Sequence, residues 1–439
     1  MRISAWILAG FYLSGVAPAA AAPPGLIEIH AQALTNDPEL RAVQASSEAV
    51  RASRRQSIGA LLPSLSATAE SGRTRENVKT TSIGFPGETT FDTDIYAITL
   101  RQPLFRMDLF ARLGQSKASV TQAEAEYGAA QQALIVNVAE RYFDLLAAQD
   151  NLEFARAEQT AIAQQLQQVR ARHSVGVATL IDLREVEASH DLSVAREIAA
   201  EANLANTEEA LRERTGEYHK VLRRLKAEIP LEPPPGPLED WVRLAESNNL
   251  KLRASRGATA TAEKEISRQR AGHYPALDAV ARQSRNDAAG GRFGPSDIEN
   301  NTVALQLTVP LFEGGQVLAR TREAAARYVE ASEREKKQHR AAVRAATDAY
   351  RAVVADVSRV KALARSVLST EAALQAVRAG YHAGTRTVLD VLDAQRVHLR
   401  ARRDHAVDRY HYLVSTLRLK EAAGFLGQPD LETLAPWFD

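Results

Sequence analysis

Two rhythms of apolar and polar positions divide this chain. From residue 26 to 62 the spacing is helical in two pieces, broken at Asn36-Asp37-Pro38, where Pro38 takes a tolerated first-turn position. After Pro63 the period becomes two. Leu65, Ala67 and Ala69 alternate with Ser66, Thr68 and Glu70, which predicts a strand. A polar Gly/Thr-rich stretch from Arg73 to Asp92 reads as a loop, with Gly84, Pro86 and Gly87 as breakers. Alternation returns with Tyr96, Ile98 and Leu100 against Ala97, Thr99 and Arg101, and Pro103 is expected to end that strand. No proline occurs between Pro103 and Pro230, and strong helix formers dominate the interval. A helix over about 106–172 would be roughly 100 Å long at 1.5 Å per residue. Gly176 marks a turn, and a second long helix returns over about 178–215.

The second half repeats the first. AESNNLKLRA at 245–254 echoes ALTNDPELRA at 33–42, and Tyr-Pro-Ala-Leu at 274–277 echoes Leu-Pro-Ser-Leu at 62–65. Val-Pro-Leu-Phe at 309–312 echoes Gln-Pro-Leu-Phe at 102–105, and Gly384 and Asp390 echo Gly176 and Asp182. The clearest strand is the fourth, where Val303, Leu305, Leu307 and Val309 alternate with Thr302, Ala304, Gln306 and Thr308. A second proline-free span lies between Pro310 and Pro429. The expected layout is a leader at 1–21 and a first repeat at 22–230, with strands about 64–72 and 93–103. A proline-rich linker follows at 231–237. The second repeat occupies 238–425, with strands about 276–286 and 301–310 and helices about 313–379 and 386–424. A tail covers 426–439.

Each strand is about the length of a tilted strand crossing a bilayer, and its alternation suits a wall with lipid outside and water inside. The same alternation also fits a small soluble sheet with one wet face. Four strands cannot close a barrel, and lipid tolerates no open edge. Spanning strands would therefore require several chains to share one barrel. Along the helices, Tyr410, Leu413 and Leu417 form an apolar stripe, Leu389 and Leu392 another, and Ala341, Ala342, Ala345, Ala346 and Ala349 allow close helix approach. An antiparallel coiled coil without a channel would share these features.

Composition narrows the classes. Arg2, the apolar stretch Ile3 to Val16 and Ala19-Ala20-Ala21 read as a secretory signal cleaved after Ala21, and later apolar runs are too short for a spanning helix. Lys and Arg total 55 against 54 acidic residues, so loss of Arg2 leaves a formally neutral chain with no electrostatic case for nucleic acid. With no cysteine there is no disulfide, thiolate metal site or lipidated N-terminal cysteine. No nucleophile elbow, phosphate loop or metal-ligand cluster is present, so neither an enzyme nor a cofactor is expected. The cluster Arg400, Arg402, Arg403 reads as a solvated helix face.

The stretch Gly380 to Asp393, Gly-Tyr-His-Ala-Gly-Thr-Arg-Thr-Val-Leu-Asp-Val-Leu-Asp, breaks a helix with two glycines and restarts it with two aspartates. Its first-repeat counterpart, Arg172 to Asp182, lacks Tyr381, Arg386 and the second aspartate. With the duplicated strand-strand-helix plan, the two Pro-Leu-Phe strand ends, and Tyr410-x-Tyr412-Leu413 leading to Leu417-x-Leu419-Lys420, this motif resembles the TolC-type outer-membrane channel family over essentially the whole mature chain.

The resemblance implies a mainly α protein with a small membrane β part. Three protomers would form a twelve-stranded β-barrel continued by a long coiled-coil α-barrel into the periplasm. It implies a homotrimer in outer-membrane lipid that serves type I protein secretion or multidrug efflux with a periplasmic adaptor and an inner-membrane transporter. A periplasmic coiled-coil adaptor or scaffold without a pore is the alternative. Position by position, Asp390 and Asp393 match the acidic residues that narrow the periplasmic entrance. Asp182, Tyr381 and Arg386 match the latch that holds it closed. Val175, Gly176, Val177, Ala383, Gly384 and Thr385 match the adaptor-docking turns. Ile181 departs from the pattern, which often has a hydroxyl there.

Overall fold

The computed structural model describes residues 23–79, 87–291 and 294–439; the expected leader and the breakers Gly84 and Pro86 lie outside them. The elements are α1 (Leu26–Asn36), α2 (Pro38–Gly59), β1 (Ser64–Val78), β2 (Gly87–Arg106), α3 (Met107–Ser174) and α4 (Leu180–Thr215). They continue with α5 (Leu238–Asn248), α6 (Leu250–Arg270), β3 (Ala276–Ala288), β4 (Ser296–Thr308), α7 (Gln316–His382), α8 (Val388–Ala423) and α9 (Gln428–Leu434). The duplication is explicit in the lengths: α3 and α7 have 68 and 67 residues, and α4 and α8 have 36 each.

The chain falls into two compact units that cut across the repeats. One contains the residues up to Thr35, Val138–Pro230 and Pro429–Asp439; the other contains Asn36–Asn137 and Leu231–Gln428. In the first unit, the later part of α3 and α4 are linked by cross-helix ion pairs: Arg156 with Glu197 and Glu201, Arg196 with Glu158, and Arg170 with Glu187. The C-terminal segment belongs here. Phe438 stacks on Phe143 and meets Tyr142 edge-on, and Leu225 and Phe438 form a β-bridge. Tyr142 Oη donates to the Arg223 carbonyl at 2.6 Å, so one buried aromatic joins the helix to the 222–226 segment.

The second unit holds the sheet, in the order β1-β2-β3-β4, antiparallel throughout. Its register separates two faces. Leu65, Leu100, Ala281 and Val303 form one cross-strand row, and the next row, on the opposite face, is Ser66, Thr99, Arg282 and Thr302. The apolar face is uncovered: Val303 is 88% exposed and Leu305 70%.

Two expectations need correction. Within the polar stretch from Arg73 to Asp92, residues 73–78 and 87–92 are strand. β1 and β2 pair from Ser64↔Arg101 out to Val78↔Gly87, and the salt bridges Arg73–Asp92 and Arg75–Glu88 link side chains there. Cross-strand charge pairs support pairing as apolar pairs do, but leave no hydropathy alternation. Nor does Pro103 end β2. The strand absorbs it with a register shift between Pro103 and Phe105 and runs to Arg106, as bulges permit.

In the same unit α7 packs against α5, α6 and α8. Tyr410, Leu413 and Leu417 are buried, and of the alanine series Ala342 and Ala346 are buried, Ala346 clustering with Ala245 and Ala422. Of the other stripe Leu392 is buried but Leu389 is exposed. The proline-rich linker is stapled by aromatic side chains. Trp241 Nε1 donates to the Pro235 carbonyl, Tyr350 Oη to that of Gly236, and Tyr412 Oη to that of Glu232.

Candidate functional site: two hairpin turns

Both long hairpins turn on the same backbone frame. At the end of α3, Val177 N–H donates to the Arg172 carbonyl and Gly176 N–H to that of His173. At the end of α7, Thr385 N–H donates to Gly380 O and Gly384 N–H to Tyr381 O. This is the Schellman closure of a helix, which places its C′ residue in the left-handed region. Gly176 and Gly384 both have φ +77°, with open space around the position a Cβ would take. Glycine is required there by backbone conformation alone.

Three residues after each glycine a threonine starts the next helix. Thr179 and Asp182 form a capping box on α4, and Thr387 and Asp390 form one on α8. In the first, Asp182 Oδ2 accepts from Thr179 N at 2.9 Å and Oγ1 at 2.7 Å; in the second, Asp390 Oδ2 accepts from Thr387 N at 2.8 Å and Oγ1 at 3.0 Å. These bonds favour the ionised form. The side-chain and then the backbone bond from Thr179 hold the Asp182 carboxyl below the usual range. For Asp390 the backbone and side-chain bonds from Thr387 do so, with attraction from Arg386 added. The shared signature Gly-x-x-Thr-x-x-Asp is legible in the sequence as a helix stop followed by a helix start, with the threonine as the cap beside the Gly and Asp named above. Asp182 and Asp390 are thus equivalent capping residues before either is anything else.

The side chains on this frame differ. In the first turn His173 Nδ1 lies 3.0 Å from the Ala178 carbonyl, and Glu187 bridges Arg170 of α3 and Arg184 of α4 at 3.1 and 2.9 Å. Val175, Val177, Leu180 and Ile181 are all exposed. In the second turn Val388, Val391 and Leu392 are buried. The contrast at one equivalent pair is sharp: Val388 is 4% exposed, Leu180 56%. Tyr381 stands where the first turn has His173, and is half-buried with its ring 5.9 Å from that of His382. Arg386 lies across Gly380, where a Cβ would meet the Arg386 Cγ at 2.8 Å, so this glycine makes room for the arginine. Asp393 is exposed and paired with Arg396 at 2.9 Å. The paired acid is less distinctive than it looked, because Glu185 occupies the place equivalent to Asp393 in the first turn.

Asp390, Asp393, Tyr381, Arg386 and the turn Ala383-Gly384-Thr385 thus share the α7–α8 hairpin. Asp182 and Val175-Gly176-Val177 sit on the α3–α4 hairpin, in the other compact unit.

The model of one family, described as Outer membrane efflux protein, matches residues 29–217 and 241–425, the two repeats. The chain belongs to this family. Outer membrane protein TolC of Escherichia coli K12 is 32% identical over 98% of this chain and 87% of that protein. Alkaline protease secretion protein AprF of Pseudomonas aeruginosa is 29% identical over 100% of this chain and 92% of that protein. The crystal structure of outer membrane protein VceC from Vibrio cholerae superimposes with a TM-score of 0.77 at 20% identity, covering 91% of this chain and 96% of that one, which shows the common fold. Membership in the outer membrane efflux protein family separates a channel from a pore-free adaptor, which the helices alone did not. The protein is an outer-membrane exit channel for secretion and efflux with a helical periplasmic extension, and is not an enzyme. No described helix is long and apolar enough to cross a membrane.

Proposed function

We propose that three copies of the chain close one twelve-stranded barrel, with the Leu65–Leu100–Ala281–Val303 face toward lipid and the Ser66–Thr99–Arg282–Thr302 face toward the lumen. The observation that carries this reading is the four-stranded sheet with an uncovered apolar face and two unpaired edges, β1 and β4. Lipid tolerates neither a free edge nor an unclosed sheet, and three such sheets supply a ring of strands in the usual range for outer-membrane barrels.

On this reading the α7–α8 turn narrows the periplasmic end. Asp390 and Asp393 of three copies form two acidic rings, and Tyr381 and Arg386 of one hairpin engage Asp182 of another to keep them closed. The turns Val175-Gly176-Val177 and Ala383-Gly384-Thr385 receive a periplasmic adaptor, which couples the duct to an inner-membrane transporter. The exposed aliphatics of the first turn suit an apolar contact with such a partner. The near full-length match to an alkaline protease secretion protein favours polypeptide cargo; the family's description also supports efflux of small solutes.

The test is made on the protein extracted from outer membranes. It should run as a heat-modifiable trimer and conduct in planar bilayers, and Asp390→Ala with Asp393→Ala should abolish block by multivalent cations. A monomer without conductance would sink the shared barrel. Unchanged block would sink the acidic rings. Arg386→Ser should raise conductance, and an unchanged value would argue against the latch.

A further inference from the structure

Two charged residues near the second turn have no counterpart in the first: Arg386, which answers to Ala178, and Arg396. Asp393 answers to Glu185, but Arg396, one helical turn further along α8, answers to Ala188. Arg396 Nη1 sits 2.9 Å from Asp393 Oδ1, a spacing of three residues on one helix face. The Asp393 side chain is 56% exposed and that of Arg396 40%. An exposed pair of this kind adds little to folding. Its effect on a nearby mobile ion is another matter, because the field of each charge extends over about a Debye length, roughly 10 Å in dilute salt. Asp390 has a companion too, since Arg386 attracts it across the capping turn. Between Thr385 and Arg396 the formal charges are therefore Arg386, Asp390, Asp393 and Arg396, and they cancel.

We propose that Arg396 is a specificity-determining residue of the channel: paired with Asp393, it neutralises the ring that Asp393 forms, so that the constriction discriminates among ions far more weakly than its count of aspartates suggests. This rests on the proposed trimeric constriction, where each Arg396 would be present three times. Removing it uncovers three carboxylates at one level and turns a balanced ring into one of net charge −3. The constriction then favours cations, and polyvalent ones most. A lysine at the same position keeps the charge but not the planar fork, so charge and geometry can be told apart.

The experiment uses the full-length channel in planar bilayers, with lanthanum ion added on the periplasmic side and reversal potentials measured across a potassium chloride gradient. Arg396→Gln should lower the half-blocking lanthanum concentration by about tenfold and shift the reversal potential toward cation selectivity. Arg396→Lys should leave both close to the parent values. Asp393→Asn should abolish the effect of Arg396→Gln, so that the double variant matches Asp393→Asn alone. Heat-modifiable mobility of each variant confirms the assembled trimer. If Arg396→Gln matches the parent while Asp390→Asn with Asp393→Asn weakens block, the acidic rings stand and the role of Arg396 is overturned. If removing both aspartates changes nothing, the constriction itself is misplaced, and the role of Arg396 falls with it.

Discussion

At the α3–α4 turn, Arg170, Arg184 and Glu187 tie the helices together while Val175, Val177, Leu180 and Ile181 lie exposed. At the α7–α8 turn, Val388, Val391 and Leu392 are buried while Arg386, Asp393 and Arg396 sit at the surface. The backbone is the same in both, down to a φ of +77° at each glycine. What differs is which chemistry faces inward. Duplication supplied a turn whose fold is secured by glycine and a threonine cap, leaving the remaining side chains open to separate uses: an apolar surface on one copy, a charged one on the other.

The largest separation should come from truncating the equivalent aliphatics. Val388→Ala removes a buried side chain and should cost about 2 kcal/mol locally, whereas Leu180→Ala, on an exposed one, should stay within about 0.5 kcal/mol. Hydrogen exchange in the first turns of α8 and α4 reads both, and equal responses would erase the contrast. Next, Gly176→Ala and Gly384→Ala should each cost about 1 kcal/mol through strain in the left-handed region, and by the same amount. A clear inequality would mean that the two frames are not equivalent.

Thr179→Ala and Thr387→Ala should also cost about 1 kcal/mol each by loss of the cap. A pH series sharpens this. The folded-state values of Asp182 and Asp390 are lowered, so the stability they contribute is present above the unfolded carboxylate value, about 3.9, and is lost as pH falls through the lower folded value. Exchange protection of both helix starts should persist at mildly acidic pH, then fall. Loss already near neutrality would contradict the capping geometry. The smallest effect belongs to Glu187→Gln, which opens an exposed bridge that adds little to stability. Exchange at the first turn should rise at low salt and converge with the parent at high salt, with the second turn unmoved.

Much of the fold was legible because helix and strand leave different periods, and because the chain states its plan twice. The parts missed have specific causes. The outer halves of β1 and β2 pair through Arg73, Asp92, Arg75 and Glu88, which carry no apolar alternation. The bulge at Pro103 depends on a partner strand that local sequence does not reveal. The division into compact units depends on long-range contacts such as Phe438 on Phe143. At the turns, glycine and aspartate were found through repetition, but Thr179 and Thr387 needed the question of where the first amides of each helix find acceptors. Neither repetition nor resemblance marks Arg396, because it stands where the first repeat has Ala188.

The two unpaired edges of the sheet also bear on the order of events in biogenesis. A lone chain reaching the bilayer would expose rows of amide and carbonyl groups along β1 and β4 to hydrocarbon, with nothing to bond them. If three copies share one barrel as proposed, insertion must accompany or follow association. Arrival of the channel in the membrane would then depend steeply on the concentration of unassembled subunits, and a cell making too little of the protein would forfeit most of its channels rather than a proportionate share.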